Sequence, residues 1–133
     1  MIRAGDGVIP DPSGRQLLIG VSESAKFRLF RVPLVSGGAA GPEQEIVTDA
    51  ATPLMGVLSP SSLSADGRLL EGLSLRDAWF YAPGLIDTAS GRITRIAADD
   101  VSDYQSMAWL PDGRIVALHV GLRSTLWKFQ PRK

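Results

Sequence analysis

Met107-Ala108-Trp109-Leu110-Pro111-Asp112-Gly113-Arg114-Ile115-Val116 decides the fold class of this chain. An apolar run meets Pro-Asp-Gly, and a second apolar run follows one arginine later. Asp-Gly is a strong hairpin turn, because glycine accepts the positive φ that joins two twisted strands. The segment therefore reads as two antiparallel strands around a tight turn.

The same pattern recurs upstream. Leu63-Ser64-Ala65-Asp66-Gly67-Arg68-Leu69-Leu70 is a second copy, and Pro10-Asp11-Pro12-Ser13-Gly14-Arg15 is a degenerate third. The copies are spaced by about 50 residues, the period of a repeated supersecondary unit. Each turn precedes an apolar strand: residues 16–21, 69–75 and 115–120. A further apolar or aromatic strand follows in each case. It is Phe27-Arg28-Leu29-Phe30-Arg31-Val32 in the first unit and Trp79-Phe80-Tyr81, running on to Gly84-Leu85-Ile86-Asp87, in the second. In the third it is Thr125-Leu126-Trp127-Lys128-Phe129. Two units then show a glycine turn (Ser36-Gly37-Gly38 and Ala89-Ser90-Gly91) and a fourth strand, residues 45–48 and 92–96. The third unit ends before its fourth strand.

With 14 glycines and 9 prolines spread along 133 residues, helices of ordinary length would be interrupted nearly everywhere. Short runs bounded by turn residues read as strands. The expected class is all-β, in units of four antiparallel strands: residues 7–49, 54–98 and 104–133. Naming the strands a to d outward, Asp-Gly turns join a to b and Ser-Gly turns join c to d. Strand b of the third unit, Ile115-Val116-Ala117-Leu118-His119-Val120, is apolar on both faces, as for a sheet packed between two others.

Composition excludes several function classes. Lysine plus arginine equals aspartate plus glutamate, 14 each, so no basic surplus draws in nucleic acid or anionic lipid. There is no cysteine, hence no disulfide framework, thiolate site or cysteine nucleophile. One histidine, His119, rules out a polyhistidine metal cluster within one chain. No apolar run approaches the roughly 18 residues of a membrane span, and residues 1–7 lack the apolar stretch of a signal peptide. A cysteine-free chain fits either side of a membrane.

These residues resemble the repeat of TolB-like (WD40-like, PD40-type) β-propellers: an apolar strand, Pro-Asp-Gly-Arg/Lys, then another apolar strand. Leu29-Phe30-Arg31-Val32-Pro33-Leu34 and Ile86-Asp87-Thr88-Ala89-Ser90-Gly91 are similar to the third strand of such blades. The Gly-His and Trp-Asp signatures of true WD40 repeats are missing. The resemblance covers most of the chain and implies one partial propeller domain over residues 1–133, with about three blades. Propellers typically close with four to eight. A three-blade arc leaves an apolar face open at each end. At roughly 25 cal/mol per Å², several hundred exposed Å² per end costs on the order of ten kcal/mol, as much as a domain's whole stability. The expectation is therefore a fragment of a longer propeller, or a homodimer whose two copies complete a six-bladed ring. Residues 1–4 are a candidate outer strand for the third blade.

No catalytic, cofactor or metal site emerges. His119, inside an apolar strand, is expected to be a packed or hydrogen-bonded core residue, and no Gly-x-Ser-x-Gly elbow occurs. Asp99, Asp100 and Asp103 form an acidic knot that does not match an EF-hand, and it reads as a solvated loop. Asp66 and Asp112 are expected to bond their own turns, with Arg68 and Arg114 paired to nearby carboxylates. Trp79, Phe80, Tyr81, Trp109 and Trp127 are expected in the core between blades, with Phe80 differing in burial from its two neighbours by strand alternation.

The a–b and c–d turns of a blade lie on one rim, the b–c and d–a loops on the other. The second rim carries Glu23, Lys26, Arg76, Asp77, Asp99, Asp100, Asp103 and Arg123. Binding sites concentrate on loops held by a rigid scaffold, so these residues form the candidate surface for a protein or peptide partner. The expected function is a non-catalytic, self-associating interaction module. The alternative is part of a propeller hydrolase, lyase or lactonase whose site other blades complete. No nucleic acid, membrane or cofactor is expected.

Overall fold

A computed structural model of the chain describes residues 7–23, 26–49, 52–56, 58–76, 78–98 and 102–121. It is all-β, built from antiparallel sheets. In the first sheet β1 (Gly7–Pro10), β2 (Gln16–Glu23), β3 (Lys26–Val35) and β4 (Gly38–Ala39) follow in order. β5 (Gln44–Ile46) also pairs with β3, through Leu29↔Ile46 and Arg31↔Gln44. β6 (Arg68–Ser74), β7 (Tyr81–Asp87) and β8 (Ile93–Arg95) make the second sheet, and β9 (Ser102–Trp109) with β10 (Ile115–Gly121) a hairpin.

The repeated turns share one hydrogen-bond pattern. The glycine N–H donates three residues back: Gly14 to Asp11 O at 2.8 Å, Gly67 to Ser64 O at 3.0 Å, Gly113 to Leu110 O at 2.9 Å. All three glycines have positive φ, from 67 to 82°. This is a type I turn closed by a left-handed residue, where a side chain would meet its own carbonyl. The expected local pairings are present: Arg68 Nε lies 2.8 Å from Asp66 Oδ2, and Arg114 bonds Asp112 Oδ2 at 2.7 Å. Asp112 Oδ1 also accepts the Arg114 N–H at 3.1 Å.

The first two sheets stack face to face. Ile9, Leu18, Leu29 and Ile46 from the first meet Leu69, Leu73 and Ile86 from the second, all almost fully buried. Alternation along each strand sends every second residue to this seam. β9 lies against β6 and β7. The Tyr81 N–H donates to Asp103 Oδ1 at 2.8 Å, and Trp109 Nε1 donates to Arg68 O at 3.2 Å. β9 thus runs along the second sheet from the Tyr81 end to the Arg68 end.

Four expectations change. The stretch before β6 is not a continuous strand: it touches β6 by single bridges, Leu54↔Leu73 and Leu63↔Leu69, with a 3-10 turn at Pro60–Ser62 between them. Pro60 has no N–H for a ladder, and the Ser62 hydroxyl bonds the Ser59 backbone instead, accepting its N–H at 3.3 Å and donating to its carbonyl at 2.6 Å. Trp79 and Phe80 lie in a bend before β7, so strand alternation does not govern them; the last ladder pair is Ser74↔Tyr81. Phe80 and Tyr81 are both half-buried, while Trp79 is 98% exposed rather than in a core. His119 is exposed rather than packed, because all of β10 is exposed; its ring stacks on Tyr104 at 5.7 Å.

The last change concerns the flanks. The outer face of the first sheet is only partly open: Ile19, Phe30 and Val32 form a buried cluster there, while Val8, paired with Ile19 on the same face, is 53% exposed. The open flank is β10, where Ile115, Val116, Leu118 and Val120 are 38 to 61% exposed. Trp127 and residues 1–4 lie outside the described residues.

Candidate functional site

The candidate rim is built at the strand ends opposite the Asp-Gly turns. In the first sheet the β2–β3 connection brings Glu23 and Lys26 into register as the last pair of the ladder. Both are exposed. Arg28, two residues into β3, gathers the carboxylates around it. Its Nε and NH2 groups donate to both oxygens of Glu45 on β5, at 2.8 and 2.5 Å, and NH1 donates to Glu23 at 2.8 Å. A forked guanidinium across a carboxylate is the strongest geometry such a pair can take. Glu45, then Glu23, raise the Arg28 pKa above its ordinary value. The same guanidinium lies 5.0 Å over the Phe30 ring. Three strands are thereby tied at one point of the surface, through Glu23 on β2, Arg28 on β3 and Glu45 on β5.

In the second sheet the corresponding loop leaves β6 at Ser74 and returns at Tyr81. Arg76 is exposed on it, and Ala78 donates to Leu75 O at 3.2 Å to tighten the turn. Trp79 stands out from this loop. Tryptophan and arginine are both enriched among the residues that dominate binding energy at protein interfaces, and this loop exposes one of each.

Asp103 is in β9 rather than in a loop. Besides the Tyr81 N–H, it accepts from Gln105 Nε2 at 3.0 Å. Its role is to join the second sheet to the third hairpin, and it thereby brings β9 to the same end of the second sheet as Arg76. Asp77, Asp99, Asp100 and Arg123 lie outside the described residues.

One residue that sequence reasoning passed over is Glu71. It lies in β6 between leucines and is 1% exposed. Its Oε1 accepts the N–H of Gly56 at 3.2 Å and of Gly72 at 3.0 Å. The carboxylate therefore replaces the ladder bonds that the broken strand at residues 54–63 does not make. A 10 Å³ cavity adjoins it, lined by Ser59, Ser62, Gln105 and Met107. The signal available in the sequence is a lone carboxylate inside Leu69-Leu70-Glu71-Gly72-Leu73. Buried carboxylates need donors, and here two backbone N–H groups supply them to Oε1.

Among the described residues no group of three histidines, aspartates or glutamates could hold a metal ion, and no helix is long and apolar enough to cross a membrane. What the arrangement offers is surface: a pinned ionic cluster, an exposed Arg-Trp loop and an apolar terminal strand. No family model, curated protein or solved structure matches this chain.

Proposed function

We propose that this chain is a non-catalytic interaction module, a three-unit arc of a TolB-like β-propeller that associates with a second copy of itself or with further blades. The observation that carries this reading is β10. Ile115 and Val116 face opposite sides of the strand, and both sides carry exposed apolar groups. The corresponding strands of the first two units, β2 and β6, bury Leu18, Ile19, Leu69 and Leu70 almost fully. An exposed, contiguous apolar strand on an otherwise buried pattern marks an association surface. The loop carrying Arg76 and Trp79, with Glu23 and Lys26, is then the surface for a protein or peptide partner.

Light scattering on the purified chain tests this. The expected mass is twice 14.2 kDa, falling to the monomer value for Val116→Glu/Leu118→Glu with unchanged far-ultraviolet circular dichroism. A wild-type chain that stays folded and monomeric at high concentration overturns it.

A further inference from the structure

The three units stack in chain order. The first sheet meets one face of the second through Leu69, Leu73 and Ile86. The third hairpin takes the other face, where Leu70 and Gly72 of β6 share a small cavity with Met107 of β9. Such a stack has two end faces, and strand alternation identifies both. On the hairpin, Ile115 and Ala117 pair with Trp109 and Met107, which look toward the second sheet. Val116 and Leu118 therefore look away from it, and they are 47% and 61% exposed. On the first sheet Ile9 joins the seam, so Val8 and Pro10 look away from it, and both are exposed.

The two ends match in chemistry. Neither β1 (Gly-Val-Ile-Pro) nor β10 (Ile-Val-Ala-Leu-His-Val-Gly) contains a lysine, arginine, aspartate or glutamate. Joining them buries apolar groups and leaves no ion to desolvate. The charged groups on the first sheet's outer face, Glu23, Arg28 and Glu45, lie on β2, β3 and β5 and are bonded to one another. The seam inside the chain already joins these kinds of strand: Ile9 of β1 shares one buried cluster with Leu69 and Leu73 of β6, the counterpart of β10. Two unlike apolar ends on one chain fit a head-to-tail contact, whereas a contact of β10 with its own copy would leave Val8 open to water.

We propose that the surface covering β10 is the outer face of the first sheet of a second copy, with Val116 and Leu118 of one chain seated against Val8 and Pro10 of the other. This rests on the self-association proposed above and assigns the second half of the contact.

The test is complementation between variants, read by light scattering. Val8→Glu, at the end of the stack remote from β10, should weaken association roughly tenfold or more, because it places a charge in the contact, with unchanged circular dichroism. Val35→Glu, at a 67% exposed valine of the β3–β4 hairpin, should associate like wild type. The Val8→Glu chain keeps an intact β10, and the Val116→Glu/Leu118→Glu chain keeps an intact first sheet. An equimolar mixture of the two should form a two-chain species at concentrations where each alone is monomeric. If Val8→Glu associates like wild type, or the mixture stays monomeric, the head-to-tail contact is wrong, while the monomeric Val116→Glu/Leu118→Glu chain still supports self-association through β10. A wild-type chain that is monomeric at high concentration overturns both.

Discussion

Trp109 and Arg68 hold each other twice: the indole Nε1–H donates to the Arg68 carbonyl at 3.2 Å, and the Arg68 guanidinium lies 5.0 Å over the indole ring. Arg68 opens β6 and Trp109 closes β9, so the pair fastens the third hairpin at one end of the second sheet. Asp103 and Tyr81 fasten the other. Trp109→Phe keeps a ring but loses the donor, and should cost about 1 kcal/mol. Trp109→Ala should cost roughly 2 kcal/mol, less than a fully buried tryptophan because this one is half-exposed. Hydrogen exchange locates the loss. Amides of residues 115–121 should exchange faster in Trp109→Ala, while those of β2 and β3 keep their protection.

Glu71 supports a different junction. With its carboxylate removed, the buried N–H of Gly72 and the half-buried N–H of Gly56 lose their acceptor. Each buried donor left without a partner costs about 1–3 kcal/mol. Glu71→Ala should therefore lower stability by about 2 kcal/mol or more in a urea melt. Glu71→Gln, which keeps an acceptor oxygen at the same reach, should lose less than half of that. Equal losses in the two variants would show that the side chain only fills space.

The strands and turns of this chain were legible because their signals are local. Asp-Gly-Arg dictates the turn wherever it occurs, and alternating apolar residues such as Leu69, Leu73 and Ile86 find the seam between sheets. Three features depended on contacts remote in sequence. Trp79 reads as core in an aromatic run, yet β6 ends at Ser74 and offers it no partner. His119 sits in an apolar strand, but burial of that strand requires a neighbour beyond the described residues. The break at residues 54–63 is marked by Pro60 alone, and only the Glu71 side chain from β6 explains how Gly56 is satisfied. The candidate rim was legible in its exposed ends, Glu23, Lys26 and Arg76. Arg28, which organises the charges there, looked like one more alternating strand residue.

Acid should weaken the fold through its turns. Hydrogen bonds lower the pKa values of several aspartates below the ordinary value of about 3.9. Asp87 is lowered by the Ser90 and Ala89 N–H groups, Asp66 by the Ser64 hydroxyl and Arg68, and Asp112 by Arg114. A depressed value in the folded state means that the stabilisation is complete above about pH 4 and disappears as pH falls through the depressed values. These groups are solvent-exposed, so each contribution is small and salt-sensitive. The melting temperature should be flat from pH 7 to pH 5 and decline below pH 4. In Asp87→Ala the decline should be shallower, starting from a lower value at pH 7. A melting curve that falls mainly between pH 7 and pH 5 would contradict this assignment.

Gly91 and Gly113 separate two costs that usually travel together. Both have positive φ, +74° and +82°, so alanine at either position pays the left-handed penalty of roughly 1–2 kcal/mol. Around Gly113 a Cβ meets nothing within 4 Å. At Gly91 it would stand 2.0 Å from the Val47 carbonyl oxygen, which is backbone and cannot rotate aside. Gly113→Ala should therefore lose about 1 kcal/mol and leave the rest of the chain undisturbed. Gly91→Ala should lose several-fold more, because the β7–β8 turn must lift away from the first unit's connector. Its chemical-shift changes should reach Val47 and Ile46 across the seam, whereas those of Gly113→Ala should stop at the β9–β10 turn. Equal losses in the two variants would mean that the turn does not rest on Val47 in solution.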